Sequence, residues 1–392
     1  MLTSHLLSDK MYLDMEENNM LIGFSVENYR NFKDKVTLNF ENVHDYEYNK
    51  QCIKNGLLSK AIIYGANASG KSNFGFALFD IVGLLTDKNT HYCQNDEQTF
   101  VNADSDSDVA TFEYVFKNKK DTITYLYKKK SPKIITYEEL VINKKSIFSY
   151  DFEKRNFIQI DLKEIHAENA NFNYFENNFA VLRYIANNTS QPDNSHVKFI
   201  MNFVSHMLWF RTLQENGYIG LISGSENVNQ WISNNNLDKE FQKFLLDLAN
   251  IEINLDIVDL QQPIKQKFLV EKHKKGVFAF DQVASSGCKA LELLFYWTKR
   301  FKDVSFLFMD EFDAFYHFDL ARNVVKYISE FDNLQAIMTT HNPYLASNEL
   351  LRPDCYFILE NCKLTSFADS TERELREGHN LEKMLKNGEF NG

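Results

Sequence analysis

The chain has 392 residues, a formal net charge of −11 and 44% hydrophobic residues, with 34 Phe and only 5 Pro. This much apolar material supports an ordered core and excludes intrinsic disorder, and the length fits one large domain or two interleaved ones. No stretch reaches the roughly 18 consecutive apolar residues that a membrane-spanning helix needs. The five cysteines form no CxxC pair and the first 20 residues lack a long apolar run, so we expect a cytoplasmic protein with no membrane association and no zinc site.

The first 160 residues show mostly β-type patterns. Residues 21–40 alternate apolar and polar side chains around a turn-like centre, which predicts a two-strand meander. Residues 61–64 (AIIY) form a short apolar run that is typical of a strand buried on both faces. Apolar residues at helical spacing then predict a helix over 72–85, and several β runs in 111–160 predict an antiparallel layer.

The composition changes near residue 161, where helical patterns begin. A segment such as 199–213 (FIMNFVSHMLWFRTL) indicates a helix, and strands alternating with helices in the last third predict a parallel α/β sheet. We therefore expect an N-terminal lobe at 20–160, a helical insertion at 161–250 and a C-terminal lobe at 251–392. Five aromatic residues of the insertion are predicted either to contact a partner or to pack its own core: Phe172, Tyr174, Phe175, Trp209 and Phe210.

Residues 65–72 (GANASGKS) match the phosphate-binding motif GxxxxGK[ST] in full. The motif follows the predicted buried strand and opens the predicted helix, which is the context that it requires. Its glycines let successive backbone N–H groups point at phosphate oxygens, and the start of the helix adds a positive dipole end. Lys71 is then predicted to reach the β- and γ-phosphates of ATP, and Ser72 to offer its hydroxyl to Mg²⁺.

Two later segments supply the polar groups that nucleotide chemistry needs. The predicted strand at 304–309 ends in Asp310 and Glu311. An acid at the tip of a neighbouring parallel strand can hold Mg²⁺, and the next carboxylate can polarise the attacking water, so Asp310 is the predicted metal-site residue and Glu311 the predicted general base. A further β run at 335–339 precedes His341, which we expect at the same edge of the sheet, donating to the γ-phosphate.

A third segment, residues 284–289 (ASSGCK), lies before a predicted helix. Small polar residues at a helix start can bind an anion through the backbone. The pattern alone has low specificity, because many helices begin with Ser.

The order of these pieces (GANASGKS, a long insertion, ASSGCK, FLFMDEFD and TTHNP) resembles the ABC-type ATPase heads of SMC, RecF and related proteins. Within that superfamily the chain is more similar to soluble ATPases of bacterial abortive infection and phage defence, such as those of the AbiL, PARIS and Septu systems and the ATPase domain of the OLD nucleases. Three further segments resemble segments of that group: VENYRNFKD near the start, DEFDAFYH, and the closing GHNLEKMLKNGEF.

This resemblance implies an α/β ABC-ATPase head with a parallel core sheet, an antiparallel β layer and a helical insertion. It also implies that Ser285 and Gly287 are signature residues contacting the γ-phosphate held by an opposite subunit, so that two copies form a head-to-tail homodimer around ATP and Mg²⁺. Asp313 and His317 are then expected near that interface. The residues that the resemblance places at the ATP phosphates are Gly65, Asn67, Gly70, Lys71 and Ser72.

Some parts of the family pattern are altered or are not assigned by the sequence. Ser286 stands where many relatives have Gly, which leaves the turnover rate open. Gln94 and Gln98 are both candidates for the Q-loop glutamine. Assembly beyond a dimer also stays open.

The resemblance implies an ATPase, expected to be slow, that acts as a nucleotide-gated scaffold or sensor and controls a separate effector nuclease or toxin. The segment after His341 is too short for the nuclease domain of an OLD protein, so the effector is expected to be another chain. Alternatives are a RecF- or SMC-like ATPase of DNA repair or chromosome maintenance, a transporter subunit, and an ATP-binding regulator without turnover. The net charge of −11 argues against nucleic acid as the primary partner.

Overall fold

A computed structural model of the chain describes residues 19–88, 98–175, 179–211, 217–221, 227–260 and 266–390. The chain forms two compact units that interleave along the sequence, with divisions after residues 41, 93 and 202. The first and third segments make unit 1, and the second and fourth make unit 2. A division into consecutive lobes at 20–160, 161–250 and 251–392 stays a prediction.

The strands, in chain order, are β1 (Met20–Glu27), β2 (Val36–Asn39), β3 (Ile53–Lys54), β4 (Leu57–Leu58), β5 (Lys60–Tyr64), β6 (Ala110–Asn118), β7 (Asp121–Ser131), β8 (Ile134–Ile142), β9 (Lys145–Asp151), β10 (Asn156–Ile160), β11 (Met207–Arg211), β12 (Gly217–Gly220), β13 (Leu255–Leu260), β14 (Gln266–His273), β15 (Gly276–Ala279), β16 (Phe306–Asp310), β17 (Gln335–Thr340), β18 (Tyr356–Glu360) and β19 (Lys363–Ser366). The α-helices are α1 (Lys71–Leu85), α2 (Val181–Asn188), α3 (His196–Ser205), α4 (Val228–Asn234), α5 (Asp238–Ala249), α6 (Phe280–Val283), α7 (Ser286–Thr298), α8 (Phe318–Ser329) and α9 (Leu381–Lys386). Among these described helices, none combines the length and apolar character needed to span a bilayer.

Unit 1 contains a seven-stranded sheet in the order β10-β9-β8-β7-β6-β1-β2, with antiparallel pairing between all neighbours. Buried and partly exposed residues alternate along β6, as expected for a sheet with one buried face, and every second residue of this strand is buried. Aromatic side chains face one another across β6 and β7, where Tyr114 lies opposite Tyr125 and Phe112 opposite Tyr127. The predicted meander at 21–40 and the predicted antiparallel layer are confirmed.

A buried carboxyl group fixes the start of helix α2 within unit 1. Glu138 is fully buried and accepts hydrogen bonds from the backbone N–H groups of Val181 at 2.5 Å and Leu182 at 2.8 Å, and from the Tyr125 hydroxyl at 3.0 Å. Burial raises the pKa of Glu138 to about 7, although the three donors oppose that shift. These hydrogen bonds satisfy backbone N–H groups that the first turn of a helix leaves without a partner.

Unit 2 is built on a second seven-stranded sheet in the order β12-β11-β16-β17-β5-β18-β19. The five central strands run parallel, and the two outer strands pair antiparallel with their neighbours. β5, β16 and β17 are buried along their whole length, as expected for parallel strands covered on both faces. The carboxyl ends of these three strands therefore meet at one edge of the sheet. The predicted α/β class, with a parallel core sheet and an antiparallel layer, is confirmed.

The predicted helix over 199–213 is wrong in its second half. Helix α3 ends at Ser205, and Met207–Arg211 forms β11, which pairs in parallel with β16. Periodicity fails here because a short apolar run such as MLWF fits a buried strand as well as a buried helix. Trp209 is fully buried and its ring lies 5.6 Å from that of Phe308, so it belongs to the core of unit 2 and not to a partner surface.

Three other aromatic residues that were predicted either to contact a partner or to pack the insertion's own core lie in different units. Phe210 is buried, and its ring lies 5.9 Å from that of Trp297 in unit 2. In unit 1, the rings of Phe172 and Phe175 both lie against Tyr184, at 5.4 and 5.1 Å. These contacts favour packing within each unit.

Candidate functional site

Residues 65–70 form the loop between β5 and α1, and two glycines are required by its backbone path. Gly70 precedes the helix with φ 104°, in the left-handed region that glycine adopts at little cost. A Cβ atom on Gly65 would lie 2.4 Å from Ser69 Oγ and 3.0 Å from the Leu359 carbonyl oxygen. The loop therefore curls tightly onto itself at the carboxyl end of the sheet, as the sequence motif predicts.

The Lys71 ammonium lies inside this loop. The residue is only 4% exposed, and its Nζ donates to the carbonyl oxygens of Gly65 at 2.9 Å and Ala66 at 3.3 Å. The same nitrogen lies 3.1 Å from His341 Nδ1 and 3.8 Å from a carboxylate oxygen of Glu311. Burial lowers the pKa of Lys71, and the neighbouring carboxylates oppose that shift and favour the charged form. The lysine thus brings a cation to the centre of the loop.

Asp310, the last residue of β16, is joined to the first turn of α1. One of its carboxylate oxygens accepts from the Ser72 hydroxyl at 2.7 Å, and the other accepts from the Thr339 hydroxyl at 2.8 Å. β17 lies between β16 and β5 in the sheet, and this spacing places Asp310 beside the phosphate loop. A hydroxyl and a carboxylate on adjoining elements are oxygen ligands of the kind that Mg²⁺ prefers, so the residues present fit a magnesium ion.

Glu311 and His341 form the third part of the site. His341 Nε2 lies 2.7 Å from a Glu311 carboxylate oxygen, and its Nδ1 lies 2.9 Å from the Gly65 carbonyl oxygen. A histidine proton on Nε2 donates to Glu311 and leaves Nδ1 able to accept from Lys71, and the Gly65 carbonyl oxygen then accepts from Lys71 and not from the ring. Glu311 has φ 48°, a left-handed backbone conformation that is uncommon outside glycine, and its N–H donates to the Thr339 hydroxyl at 2.8 Å.

A cavity of about 830 Å³ opens beside the loop. It is lined by residues 64–69, by His341 and Pro343, by residues 358–361 and by Leu385 and Lys386. Residues 358–361 belong to the end of β18 and the turn after it, and Leu385 and Lys386 belong to α9, so residues distant in sequence from the loop help to line the cavity. The space at the loop is large enough for more than a phosphate group.

The predicted signature residues lie at the start of α7. Ser285 is exposed and caps the helix, accepting a hydrogen bond from the Cys288 N–H at 3.2 Å. A Cβ atom on Gly287 would lie 3.1 Å from the carbonyl oxygen of Phe315, whose side chain is exposed. Within the described part of the chain, neither Ser285 nor Gly287 hydrogen-bonds to the phosphate loop. Ser285 is thus exposed at the start of α7, and Gly287 lies against the backbone of Phe315.

The segment after Glu311 is held to the strand that precedes His341. The Thr340 hydroxyl donates to Asp313 at 2.8 Å and accepts from the Asn342 N–H at 2.9 Å. Burial raises the pKa of Asp313, although the hydrogen bond from Thr340 opposes the shift. His317 lies immediately before α8, and its side chain is exposed.

The structure brings together most of the residues that the sequence singled out. Lys71, Ser72, Asp310, Glu311 and His341 form one connected set of contacts, whereas Asn67 is exposed at the mouth of the loop and lines the cavity. Their roles in binding and catalysis stay predictions.

The structure does not assign the Q-loop glutamine, and it reveals one contact residue that the sequence did not indicate. Of the two glutamines considered for the Q-loop, Gln98 is exposed and Gln94 lies outside the described residues. Thr339, which touches both Asp310 and Glu311, was missed, because no motif marks a hydroxyl inside a buried strand.

The glycine-rich loop joins a buried strand to a helix, and an acidic residue ends a parallel strand two positions away in the sheet. This arrangement defines a P-loop nucleotide-binding fold. Residues 60–347 match the family described as "AAA domain, putative AbiEii toxin, Type IV TA system". The match covers most of the chain, and the chain belongs to this family. A comparison with curated protein sequences finds no match.

Solved structures that are similar to the chain include SMC head domains. One, described as the SMC head bound to the C-winged helix domain of ScpA, is 16% identical and aligns over 94% of this chain and 99% of that chain, with a TM-score of 0.47. The SMC head domain from Thermotoga maritima is 15% identical over 88% and 98%, with a TM-score of 0.42. An SMC head with an extended coiled coil, bound to the C-terminal domain of ScpA and derived from Pyrococcus furiosus, is 15% identical over 94% and 98%, with a TM-score of 0.45.

Proposed function

We propose that this protein is a Mg²⁺-dependent ATPase whose two copies close head to tail around ATP, and that it serves in the cytoplasm as a nucleotide-gated scaffold in anti-phage defence. One observation carries the proposal. The loop lysine, the hydroxyl–carboxylate pair, and the glutamate–histidine pair converge at one edge of one sheet. In phosphoryl transfer the lysine suits phosphate binding, the hydroxyl–carboxylate pair suits metal binding, and the glutamate–histidine pair suits activation of water.

Binding of the triphosphate is assigned to the loop and its lysine. Gly65, Asn67 and Gly70 shape the loop, whose backbone N–H groups and helix start favour an anion. The Lys71 ammonium now donates to two loop carbonyl oxygens, and we assign it to the β- and γ-phosphates of the substrate. Phosphate oxygens carry more negative charge than these carbonyl oxygens and are stronger hydrogen-bond acceptors for an ammonium group.

Ser72 and Asp310 would hold the magnesium ion through the hydroxyl and carboxylate oxygens that lie 2.7 Å apart. When bound, Mg²⁺ would offset the negative charge of the phosphate groups during the transfer. Asp310 is oriented for this task from two sides, since its second oxygen accepts from Thr339.

Hydrolysis is assigned to Glu311 and His341. The Glu311 carboxylate is 21% exposed and can accept a proton from a water molecule that attacks the γ-phosphate. His341 contacts this carboxylate at 2.7 Å, and we assign the same imidazole N–H to the γ-phosphate once ATP is bound. The water oxygen forms a bond to the γ-phosphorus while one of its protons passes to Glu311. The bond between the γ-phosphorus and the oxygen that bridges it to the β-phosphorus breaks, and the products are ADP and inorganic phosphate.

The head-to-tail dimer rests on the position of the signature residues. Ser285 caps a helix whose first N–H groups can bind an anion. Among the described residues, neither Ser285 nor Gly287 hydrogen-bonds to the loop of its own copy. A two-fold axis brings this surface of each copy to the phosphate loop of the other. Exposed apolar side chains near the signature, Val283 and Phe315, would be covered in that assembly.

The defence role rests on the family and on the motif order. The family description names a toxin of a toxin–antitoxin system, and the sequence resembles ATPases of abortive infection. We assign the ATP cycle of this chain to holding and releasing a separate effector nuclease or toxin. The molar mass of the purified complex shows whether the dimers associate into larger assemblies.

A plaque assay tests the defence role. The gene and its neighbours are introduced into a sensitive bacterial host, which is then challenged with a panel of phages. We expect fewer plaques of at least one phage, and we expect Lys71→Ala to restore full plaque numbers because the nucleotide cycle is lost. Equal plaque numbers for wild type and Lys71→Ala, across phages that the wild type restricts, would contradict a nucleotide-gated role in defence.

A further inference from the structure

Thr339 contacts both acidic residues of the proposed catalytic pair. It is fully buried near the end of β17, between β16 and β5. Its hydroxyl donates to a carboxylate oxygen of Asp310 at 2.8 Å and accepts from the Glu311 N–H at 2.8 Å. One hydroxyl therefore serves the side chain of one acid and the backbone of the next.

The backbone of Glu311 needs such support. Its φ of 48° lies in the left-handed region, which costs free energy for a residue with a side chain. This conformation ends β16 directly after Asp310 and turns the Glu311 side chain toward His341, where their contact is 2.7 Å. The hydrogen bond from Glu311 N–H to Thr339 fixes the residue in this turn.

We propose that Thr339 is a positioning residue for ATP hydrolysis, which sets the orientation of the Asp310 carboxylate and the backbone turn of Glu311 with a single hydroxyl. This inference rests on the proposed ATPase function. Thr339 is buried behind the two acids and does not itself touch the substrate in this account. Its effect is on how the metal-binding carboxylate and the general base are presented.

The chemistry of the hydroxyl distinguishes this role from packing. A valine has nearly the shape of threonine, but it can neither donate to Asp310 nor accept from Glu311. Thr339→Val would leave a carboxylate oxygen and a backbone N–H without their buried partner. A serine keeps the hydroxyl and loses only the methyl group, so it keeps both hydrogen bonds.

The test compares Thr339→Val and Thr339→Ser with the wild type in steady-state ATP hydrolysis and in equilibrium binding of ATP. We expect kcat of Thr339→Val to fall about 10- to 100-fold, the range that loss of hydrogen bonds to charged groups gives. The Kd for ATP should change little, since Lys71 and the loop are intact. The Mg²⁺ concentration for half-maximal rate should rise in Thr339→Val. Thr339→Ser should restore both kcat and this Mg²⁺ concentration to wild-type values. Thr365→Val, on the outer strand β19, serves as the matched control and should leave the rate unchanged.

Thermal unfolding of each variant separates positioning from stability. A Thr339→Val protein that is folded at the assay temperature and hydrolyses ATP at the wild-type rate would overturn the inference, as would a Thr339→Ser protein as slow as Thr339→Val. If Thr339→Val does not fold, Thr339→Ala is used with the same expectations. Failure of the proposed function is distinct, because wild-type hydrolysis would then be absent or insensitive to Glu311→Gln, whatever residue stands at 339.

Discussion

Lys71→Ala is expected to abolish measurable ATP binding. The ammonium is buried at the centre of the loop, and charge-assisted hydrogen bonds to phosphate are among the strongest that a side chain makes. Loss of two such bonds should weaken the affinity at least about 100-fold. Isothermal titration calorimetry with ATP and Mg²⁺ measures this directly.

The control is Lys383→Ala, which removes an exposed lysine from helix α9. It changes the net charge by the same amount as Lys71→Ala, and we expect it to bind ATP as the wild type does. Thermal unfolding shows whether the Lys71→Ala protein is folded, because the wild-type ammonium also bonds to two loop carbonyl oxygens. A folded Lys71→Ala protein with unchanged affinity would remove Lys71 from the binding site.

Glu311→Gln should lose hydrolysis while keeping ATP binding. A glutamine side chain can still contact His341, but it cannot accept the proton of the attacking water. General-base catalysis is worth about 100- to 10,000-fold, and we expect kcat to fall within that range. Because the nucleotide is then not consumed, size-exclusion chromatography with light scattering should show a dimer that persists with ATP and Mg²⁺.

The matched control for this variant is Glu372→Gln, which changes an exposed glutamate of unit 2. It should hydrolyse ATP at the wild-type rate and give no lasting dimer. Phosphate release by Glu311→Gln at the wild-type rate would show that another group activates the water.

The sequence allowed the phosphate loop and its partners to be predicted because their geometry follows local rules. The spacing in residues 65–72 is set by the loop itself, and Gly70 has the positive φ that such a turn needs. Asp310 and His341 could be placed at the same edge, since the carboxyl ends of neighbouring parallel strands meet there. The contacts of Ser72 with Asp310 and of His341 with Glu311 agree with that reasoning.

Other features depend on contacts that no local pattern encodes. The contacts of Thr339 with Asp310 and Glu311 depend on the order of the strands in the sheet, which puts β17 between β16 and β5. Part of the lining of the cavity comes from residues 358–361 and from helix α9, both beyond the motifs. The strand at Met207–Arg211 was predicted as helix because burial on both faces removes the alternation that identifies a strand.

In the proposed dimer each ATP site is shared between two copies, with the phosphate loop of one facing the signature residues of the other. Two inactive variants test it when they are mixed. Lys71→Ala lacks a working loop and keeps its signature, whereas Ser285→Arg places a large cation at the signature and keeps its loop. A mixed dimer would contain one site made of an intact loop and an intact signature.

The measurement is the ATP hydrolysis rate of an equimolar mixture of the folded Lys71→Ala and Ser285→Arg proteins. Random pairing makes half of the dimers mixed, each with one intact site of two, so the account predicts recovery of about a quarter of the wild-type rate. A mixture no more active than the two variants measured separately, or a Ser285→Arg protein as active alone as the wild type, would contradict the shared site.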